Sequence, residues 1–336
     1  MKKKIAVSVI AAMTATAMMA GSAMAEEYKV GIIKFVDDAS LDQIENSIKA
    51  QLDAISEEGE DTFIYDGYVM NGQADATVIG QAAQQLIADG VDVIIPIATP
   101  AAQIVQSITA DQTEPTPVVF SAVSDPVGAA LVDSMEEPGA NITGTSDALN
   151  TNAVLDLMFA ANPDIKSVGL LYSQSEDSSK QPIADAKAYL EEKGVEYVEK
   201  TGTNNTEVMQ AAEALASSGV EAIFTPTDNT IMTAELAIYE TLIDAGIPHY
   251  TGADSFALNG AFCGYGVDYT IVGKETANTA VEILQGADPA KTPVKTFDNG
   301  IATINTETAE AIGIDYSSFA DLCTEVKEIE TAESFE

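Results

Sequence analysis

Side chains that could bind a charged ligand follow several apolar runs of the sequence. In the first half of the chain they are the hydroxyls of Thr99, Ser121 and Ser124, and in the second half the carboxylates of Asp228 and Asp254. Hydroxyls beside free N–H groups at a helix start bind anions, whereas carboxylates attract cations. One end of a zwitterion fits each set, so the pattern favours an amino acid as the ligand.

The absence of arginine from all 336 residues narrows how a ligand carboxylate could be held. Without a guanidinium, the remaining partners are backbone N–H groups, hydroxyls or a lysine. We therefore predict that the ligand carboxylate contacts Thr99, Ala101 and Ser121, and that its ammonium contacts Asp228 or Asp254. The alternative is that these side chains only cap helix N-termini, where such residues are common, and the two roles can coexist.

Two aromatic residues stand close to the same segments and complete the candidate site. Phe35 follows the first apolar run and could cover a ligand, and Tyr265 lies just before a predicted crossing between two halves of the fold. The alternative for each is packing in a hydrophobic core, which is the commoner role of a single aromatic side chain.

Motifs typical of enzymes are weak throughout the sequence. It contains neither a Gly-x-Ser-x-Gly nucleophile elbow nor a phosphate loop ending in Gly-Lys-Ser or Gly-Lys-Thr. The single histidine, His249, lies inside a predicted strand, where we expect a structural role because catalysis would need a positioned nucleophile and an orienting acid. We predict that the chain is not an enzyme, and a secreted hydrolase is the least favoured class.

The cysteines Cys263 and Cys323 and the lone His249 are too few for a zinc site of the usual type. We therefore predict no metal and no cofactor. In an oxidising compartment the two cysteines could form a disulfide, and two buried free thiols fit the sequence equally well.

The chain is strongly acidic, with 53 Asp and Glu residues against 15 lysines and a formal net charge of −38. This charge would repel phosphate backbones and anionic membrane surfaces. Nucleic acids and such membranes are therefore excluded as partners.

Residues 1–25 have the pattern of a secretory signal peptide. Three lysines precede a mostly apolar run that ends at Gly21, and Ala23-Met24-Ala25 matches a cleavage site after Ala25. We predict an extracytoplasmic protein, periplasmic or at the cell surface, which loses three lysines and no acid on cleavage.

Apolar runs typical of buried strands alternate with segments of helical period. Val30–Ile33 and Val91–Ile97 are such runs, and between them Leu41, Ile44, Ile48, Leu52 and Ile55 share one helix face. Strands alternating with helices predict parallel sheets covered on both faces.

Three segments of this pattern recur in the same order. The matching pairs are Ala82–Pro96 with Ala211–Thr225, Val30–Ile33 with Val168–Leu171, and Pro117–Phe120 with Pro248–Thr251. The repeat predicts two similar lobes. Ligands bind beyond the carboxyl ends of parallel strands, so facing lobes would enclose a cleft that closes by hinge motion.

Five segments together carry a resemblance to a known family. They are Ile97–Ala102, Phe120–Ala129, Asn141–Asp147, Thr225–Thr230 and Tyr265–Tyr269. With them the sequence resembles ABC-transporter solute-binding proteins of the tryptophan/tyrosine-type family along the whole mature chain. The resemblance implies a type I periplasmic-binding fold, in which two Rossmann-like parallel-sheet lobes are joined by a three-crossover hinge. It also implies ligand delivery to an ABC permease with a cytoplasmic ATPase.

The expected lobe boundaries follow from where the chain would cross between lobes. We assign residues 26–144 and 267–298 to lobe 1, and residues 145–266 and 299–336 to lobe 2.

We expect the protein to be a monomer. An aromatic or branched apolar amino acid is the favoured ligand, and a nucleoside, a short peptide or a sugar is the alternative. A sensory receptor domain would be a second use of the same fold. The sequence lacks a lipid-anchoring cysteine after the signal peptide.

Overall fold

The computed structural model describes residues 25–59, 61–297, 300–332 and 334–335. The predicted signal peptide lies outside these residues except for Ala25. Within the described ranges, no helix is both long enough and apolar enough to cross a membrane.

Strands and helices alternate along both halves of the chain. In the first half they are β1 (Glu27–Lys34), α1 (Ala39–Glu58), β2 (Thr62–Ile64), β3 (Val69–Asn71), α2 (Ala76–Ala88), β4 (Val93–Ile97), α3 (Thr99–Ala110), β5 (Val118–Phe120) and β6 (Ile142–Ser146). In the second half they are α4 (Thr151–Ala161), β7 (Ser167–Tyr172), α5 (Asp177–Lys193), β8 (Glu196–Thr201), α6 (Asn205–Ala216), β9 (Ala222–Thr225), α7 (Asn229–Met232), α8 (Glu235–Asp244), β10 (His249–Thr251), α9 (Asp254–Leu258), β11 (Cys263–Gly266), α10 (Tyr269–Leu284), β12 (Lys295–Thr296), β13 (Ile301–Asn305), α11 (Thr306–Ile312) and β14 (Glu325–Ile329). Short 3-10 helices span Pro289–Lys291 and Ser317–Asp321.

Two separate sheets organise these elements, which confirms the predicted α/β fold class. The first sheet has the strand order β12-β6-β5-β4-β1-β2, with β3 also paired to β1. The second has the order β14-β13-β11-β10-β9-β7-β8. We call the first sheet with α1, α2, α3 and α10 lobe 1, and the second sheet with the other helices lobe 2.

The sequence repeat corresponds to a structural repeat. The matched segments place β1 and β7, β4 and β9, and β5 and β10 at equivalent positions in the two sheets. The four strands β1, β4, β5 and β6 of lobe 1 therefore have counterparts, in the same order, in β7, β9, β10 and β11 of lobe 2.

Helix α1 shows how the apolar period positions a helix on its sheet. Its buried positions include Leu41, Ile44, Ile48 and Leu52, as the period of the sequence predicted. Asp38 caps the first turn by accepting hydrogen bonds from the backbone N–H groups of Ser40 and Leu41. The capped end points toward the carboxyl ends of the strands, so the start of α1 lies where a ligand would bind.

The chain passes between the two sheets three times: between β6 and α4, between β11 and α10, and between β12 and β13. Residues 298 and 299, in the third passage, are outside the described residues. Strand β6 extends the first sheet to Ser146, two residues past the expected boundary at residue 144.

Two strands, β13 and β14, depart from the predicted parallel arrangement, because β14 pairs parallel to β13. Strand β13 runs antiparallel to β11, with Gly266 opposite Ile301. The reason is that β11 ends at the hinge, whereas β13 begins there after the third passage. The second sheet is therefore mixed, which the alternation of strands and helices did not predict.

Candidate functional site

A cavity lies between the lobes, where the carboxyl ends of the parallel strands of both sheets face each other. Its volume, counted as space for the centre of a water molecule, is only about 20 Å³, so the lobes lie close together around it. Lobe 1 contributes Ser40, Leu41, Ala98, Thr99, Ala122, Ser124 and Tyr269 to its wall. Lobe 2 contributes Ser178, Thr227, Asn229, Met232 and Ala253, and Asp147 lies at the first passage between the lobes.

The first turn of α3 presents uncapped backbone groups to this cavity. No side chain caps the helix, and the residue before it, Ala98, has φ 79° and ψ 154°. That backbone conformation is strained for any residue with a Cβ, and such strain is often found at binding sites. Thr99, at the helix start, lines the cavity as part of the predicted anion site. A helix start without a side-chain cap is suited to hold a carboxylate.

The carboxylate that lines the cavity is Asp147, which the sequence prediction did not single out. It accepts hydrogen bonds from the Ser124 hydroxyl at 3.0 Å and from the Tyr269 phenol at 3.3 Å. Burial raises the pKa of Asp147 above its ordinary value. Asp147 follows strand β6 directly, so the strand-end rule that pointed to the other candidates could also have found it.

Asp228 lies beside the cavity with its carboxylate turned into lobe 2. It caps α7 through the Ile231 N–H at 3.0 Å, and it also accepts from the Ser173 N–H at 2.7 Å and the Ser179 hydroxyl at 2.6 Å. Its neighbours Thr227 and Asn229 line the cavity. The cap role considered for Asp228 is therefore present in the structure.

A second buried acid, Glu176, lies next to Asp228. It accepts hydrogen bonds from the Asn229 amide at 3.1 Å and the Thr230 hydroxyl at 3.3 Å. Burial is the main cause that raises the pKa of both Glu176 and Asp228, and the charge of Asp228 adds to the effect on Glu176. Lobe 2 thus carries two carboxylates close together at the cavity edge.

Asp254 joins the lobes directly. It accepts a hydrogen bond from the Ser40 hydroxyl at 2.5 Å and from the Gln43 amide at 3.0 Å, both on α1 of lobe 1. The Ser255 N–H donates to the Ser40 hydroxyl at 3.2 Å. Asp38 is near enough that the charge of Asp254 contributes to raising its pKa to about 6, with burial as the larger cause.

The remaining predicted residues lie behind the cavity wall. The hydroxyl of Ser121 is 2.7 Å from that of Thr276, inside lobe 1. Ala101 and Phe35 pack in the core around the first sheet, and Tyr265 packs in the core of lobe 2. Of the eight predicted side chains, the structure therefore brings Thr99 and Ser124 to the cavity wall, and places Asp228 and Asp254 next to wall residues.

His249 is buried in lobe 2, with Nδ1 3.0 Å from Glu235 Oε1 and Nε2 2.8 Å from Thr225 Oγ1. Those partners fit the structural role predicted for it.

Cys263 and Cys323 are free thiols. In the part of the chain that the structure describes, no group of three or more His, Cys, Asp or Glu side chains could hold a metal ion.

The electrostatics of the site are dominated by buried acids. Burial raises the pKa of the carboxyls of Asp38, Asp147, Glu176, Asp228 and Asp254. Among the described residues, none of these five forms a salt bridge with a lysine or histidine. A cationic group in the cavity would therefore be attracted from several sides.

Comparison with known proteins identifies a family to which this chain is similar. A family model described as ABC transporter substrate binding protein matches residues 29–324. A relative from Clostridioides difficile (strain R20291), named tyrosine-binding protein, is 31% identical over 310 residues, covering 92% of this chain and 87% of the relative.

Two solved structures show similar architectures at different degrees of likeness. The ABC domain in complex with L-Trp from Streptococcus pneumonia is 33% identical with a TM-score of 0.81, covering 89% of this chain and 99% of that one. The ligand-free, open structure of a substrate binding protein with adhesive properties from Clostridium difficile is 28% identical with a TM-score of 0.67, covering 91% and 100%.

Proposed function

The chain belongs to the ABC transporter substrate-binding protein family, and we propose that it captures an aromatic or branched apolar amino acid in the cleft between its lobes. One observation carries the proposal: the uncapped start of α3 and the buried carboxylate of Asp147 line the same cavity. The first suits a ligand carboxylate and the second suits an ammonium. The relatives support this ligand class, since one is named for tyrosine and another is complexed with L-Trp.

The apolar part of the wall supports an amino acid with a large side chain. Leu41 and Met232 face the cavity from opposite lobes, together with the methyl groups of Ala98, Ala122 and Ala253. A site of this kind combines apolar walls with a few polar groups that fix the orientation of the ligand.

This function places the protein outside the cytoplasm, where it would deliver its ligand to an ABC permease with a cytoplasmic ATPase. Cleavage after Ala25, a monomeric state and the absence of catalysis complete the proposal. We propose that the two lobes close on the ligand by rotating about the three passages of the chain.

Calorimetric titration tests the proposal. The protein without residues 1–25 is unfolded and refolded to remove any bound amino acid, and then titrated with each of the twenty amino acids. Myo-inositol, uridine and a dipeptide stand for the sugar, nucleoside and peptide alternatives. We expect at least one aromatic or branched apolar amino acid to bind well below about 1 mM, that is with more than about 4 kcal/mol. If no amino acid binds more tightly than that, the proposed ligand class is wrong.

A further inference from the structure

One hydroxyl at the cavity lacks the partner that buried polar atoms almost always have. The Thr227 Oγ1 atom is shielded from solvent and has no hydrogen-bond partner among the described residues. Other polar side chains of the wall are engaged: Ser40 with Asp254, Ser124 with Asp147, and Asn229 with Glu176. An unpartnered buried hydroxyl costs free energy unless something else bonds to it.

Thr227, the residue that carries this hydroxyl, lies on the lobe 2 side of the cavity. Thr227 follows strand β9 and lines the wall together with Met232 and Ala253. A Cβ at Gly252 would come within 2.7 Å of the Thr227 backbone nitrogen, so the glycine lets the two strand-end loops approach closely. The loop that carries Thr227 therefore packs closely against its neighbour.

The charged ends of the ligand are assigned to the other side of the cavity. The start of α3 belongs to lobe 1, and Asp147 is bonded to Ser124 and Tyr269 of lobe 1. For a ligand anchored there by its carboxylate and ammonium, the opposite wall of the cavity is the lobe 2 side, which carries Thr227 and Met232. In this arrangement of the lobes the Thr227 hydroxyl is shielded from solvent.

We propose that Thr227 determines specificity by hydrogen bonding to the polar group on an aromatic side chain of the ligand. The phenol of tyrosine and the indole N–H of tryptophan both offer such a group, and phenylalanine does not. The inference rests on the proposed function, because it presupposes that an amino acid occupies the cleft. The hydrogen bond from Thr227 would make the site selective for tyrosine and tryptophan over phenylalanine.

The physical basis is the asymmetry of buried hydrogen bonds. When tyrosine is bound, the Thr227 hydroxyl gains a partner, whereas with phenylalanine it stays buried and unpaired. A site built to bond a ligand hydroxyl rejects the analogue that lacks it more strongly than an apolar pocket rejects a small change in size. The unpaired hydroxyl makes phenylalanine bind at least about tenfold more weakly than tyrosine.

The test compares L-tyrosine, L-tryptophan and L-phenylalanine by calorimetry on the wild type, Thr227→Val and Thr227→Ser. Valine keeps the shape of threonine without the hydroxyl, and serine keeps the hydroxyl. We expect Thr227→Val to bring tyrosine and phenylalanine to within about twofold of each other, mainly by weakening tyrosine, while Thr227→Ser keeps the wild-type preference. Thr227→Ala serves if the valine variant does not fold.

Two results would overturn the inference. If Thr227→Val weakens phenylalanine as much as tyrosine, the hydroxyl bonds a group common to all amino acids or has a structural role. If the preference for tyrosine survives in both Thr227→Val and Thr227→Ala, a residue other than Thr227 recognises the polar group on the ring of the ligand. Wild-type protein that binds none of the twenty amino acids would instead overturn the proposed function, so the two failures are distinguishable.

Discussion

The side chains of Gln103 and Asp177 link the two lobes beside the ligand cavity. The Gln103 amide on α3 of lobe 1 donates to the Asp177 carboxylate, the first residue of α5 in lobe 2, over 2.6 Å. Each helix also contributes a wall residue, Thr99 from α3 and Ser178 from α5. This bond can exist only when the lobes are close together, so it stabilises the closed arrangement in which a ligand would be enclosed.

We expect Gln103→Ala to weaken binding of the amino acid without unfolding the protein. Losing one hydrogen bond to a charged group of the closed state lowers its population, and the apparent Kd rises about threefold to tenfold. Gln106→Ala is the matched control, because Gln106 lies one turn further along α3 and bonds the carbonyls of Ala130 and Leu131 within lobe 1. Calorimetry on both variants measures the difference, and equal affinities would show that the link does not affect closure.

Asp147→Asn tests the site assigned to the ligand ammonium. The amide keeps the size of the carboxylate and removes its charge, so we expect Kd to rise at least tenfold, about 1.4 kcal/mol. The variant should be no less stable to urea, because burial already disfavours the charged form of Asp147. Asp185→Asn is the control, because Asp185 lies outside the cavity wall and its carboxylate accepts a hydrogen bond from the Gln181 amide. Unchanged affinity in Asp147→Asn would leave Asp147 only as an anchor for Ser124 and Tyr269.

The stability of the protein should depend on pH through Asp38. Burial raises the pKa of Asp38 from 3.8 to about 6 in the folded protein, so the folded state binds more protons than the unfolded chain between these two values. Stability therefore rises as the pH falls from about 6 to about 4, by up to about 3 kcal/mol from this group. Thermal unfolding at pH 4 and pH 7 measures most of this change.

Asp38→Asn should remove part of that pH dependence, because asparagine still caps α1 but does not titrate. Asp75→Asn is the matched control: Asp75 caps α2 with the same pattern of backbone bonds, which lower its pKa. Stability gained through a lowered pKa is lost as the pH falls, which is the opposite sign. If both variants show the same pH dependence as the wild type, Asp38 does not titrate in this range.

Strain at Ala98 gives a prediction about stability. Its φ of 79° and ψ of 154° fall in a region that essentially only glycine adopts without cost. Ala98→Gly should therefore be neutral or stabilising, whereas Ala102→Gly, inside α3, should cost about 1 kcal/mol. Urea unfolding of the two variants measures the difference, and equal destabilisation would argue against strain at Ala98.

The sequence predicted the elements well because their signals are local. The apolar period of α1 and the strand runs depend only on residues a few positions apart. The repeat then implied two lobes and a cleft lined by strand ends. The reversed direction of β13 and β14 escaped prediction because it depends on which side of the hinge the chain returns from, and no local pattern encodes that.

The site was only partly predictable, because strand-end position does not fix where a side chain points. Asp228 turns into lobe 2 toward Ser173 and Ser179, which lie far away in the sequence. Asp254 meets Ser40 from the other lobe, 214 residues away. The directions of these two side chains are set by contacts with residues that are distant in the sequence. By contrast, Thr99 lines the wall because α3 begins directly after the carboxyl end of β4. That end of the sheet faces the cavity.

Binding of L-tyrosine and of two analogues that each lack one of its charges tests most directly whether the cleft recognises an amino acid as a zwitterion. Tyramine lacks the carboxylate assigned to the start of α3, and N-acetyl-L-tyrosine lacks the ammonium assigned to Asp147. Calorimetry on the wild type should show each analogue binding at least about tenfold more weakly than L-tyrosine, because each leaves one charged partner unmet. An analogue that binds as tightly as L-tyrosine would contradict the account.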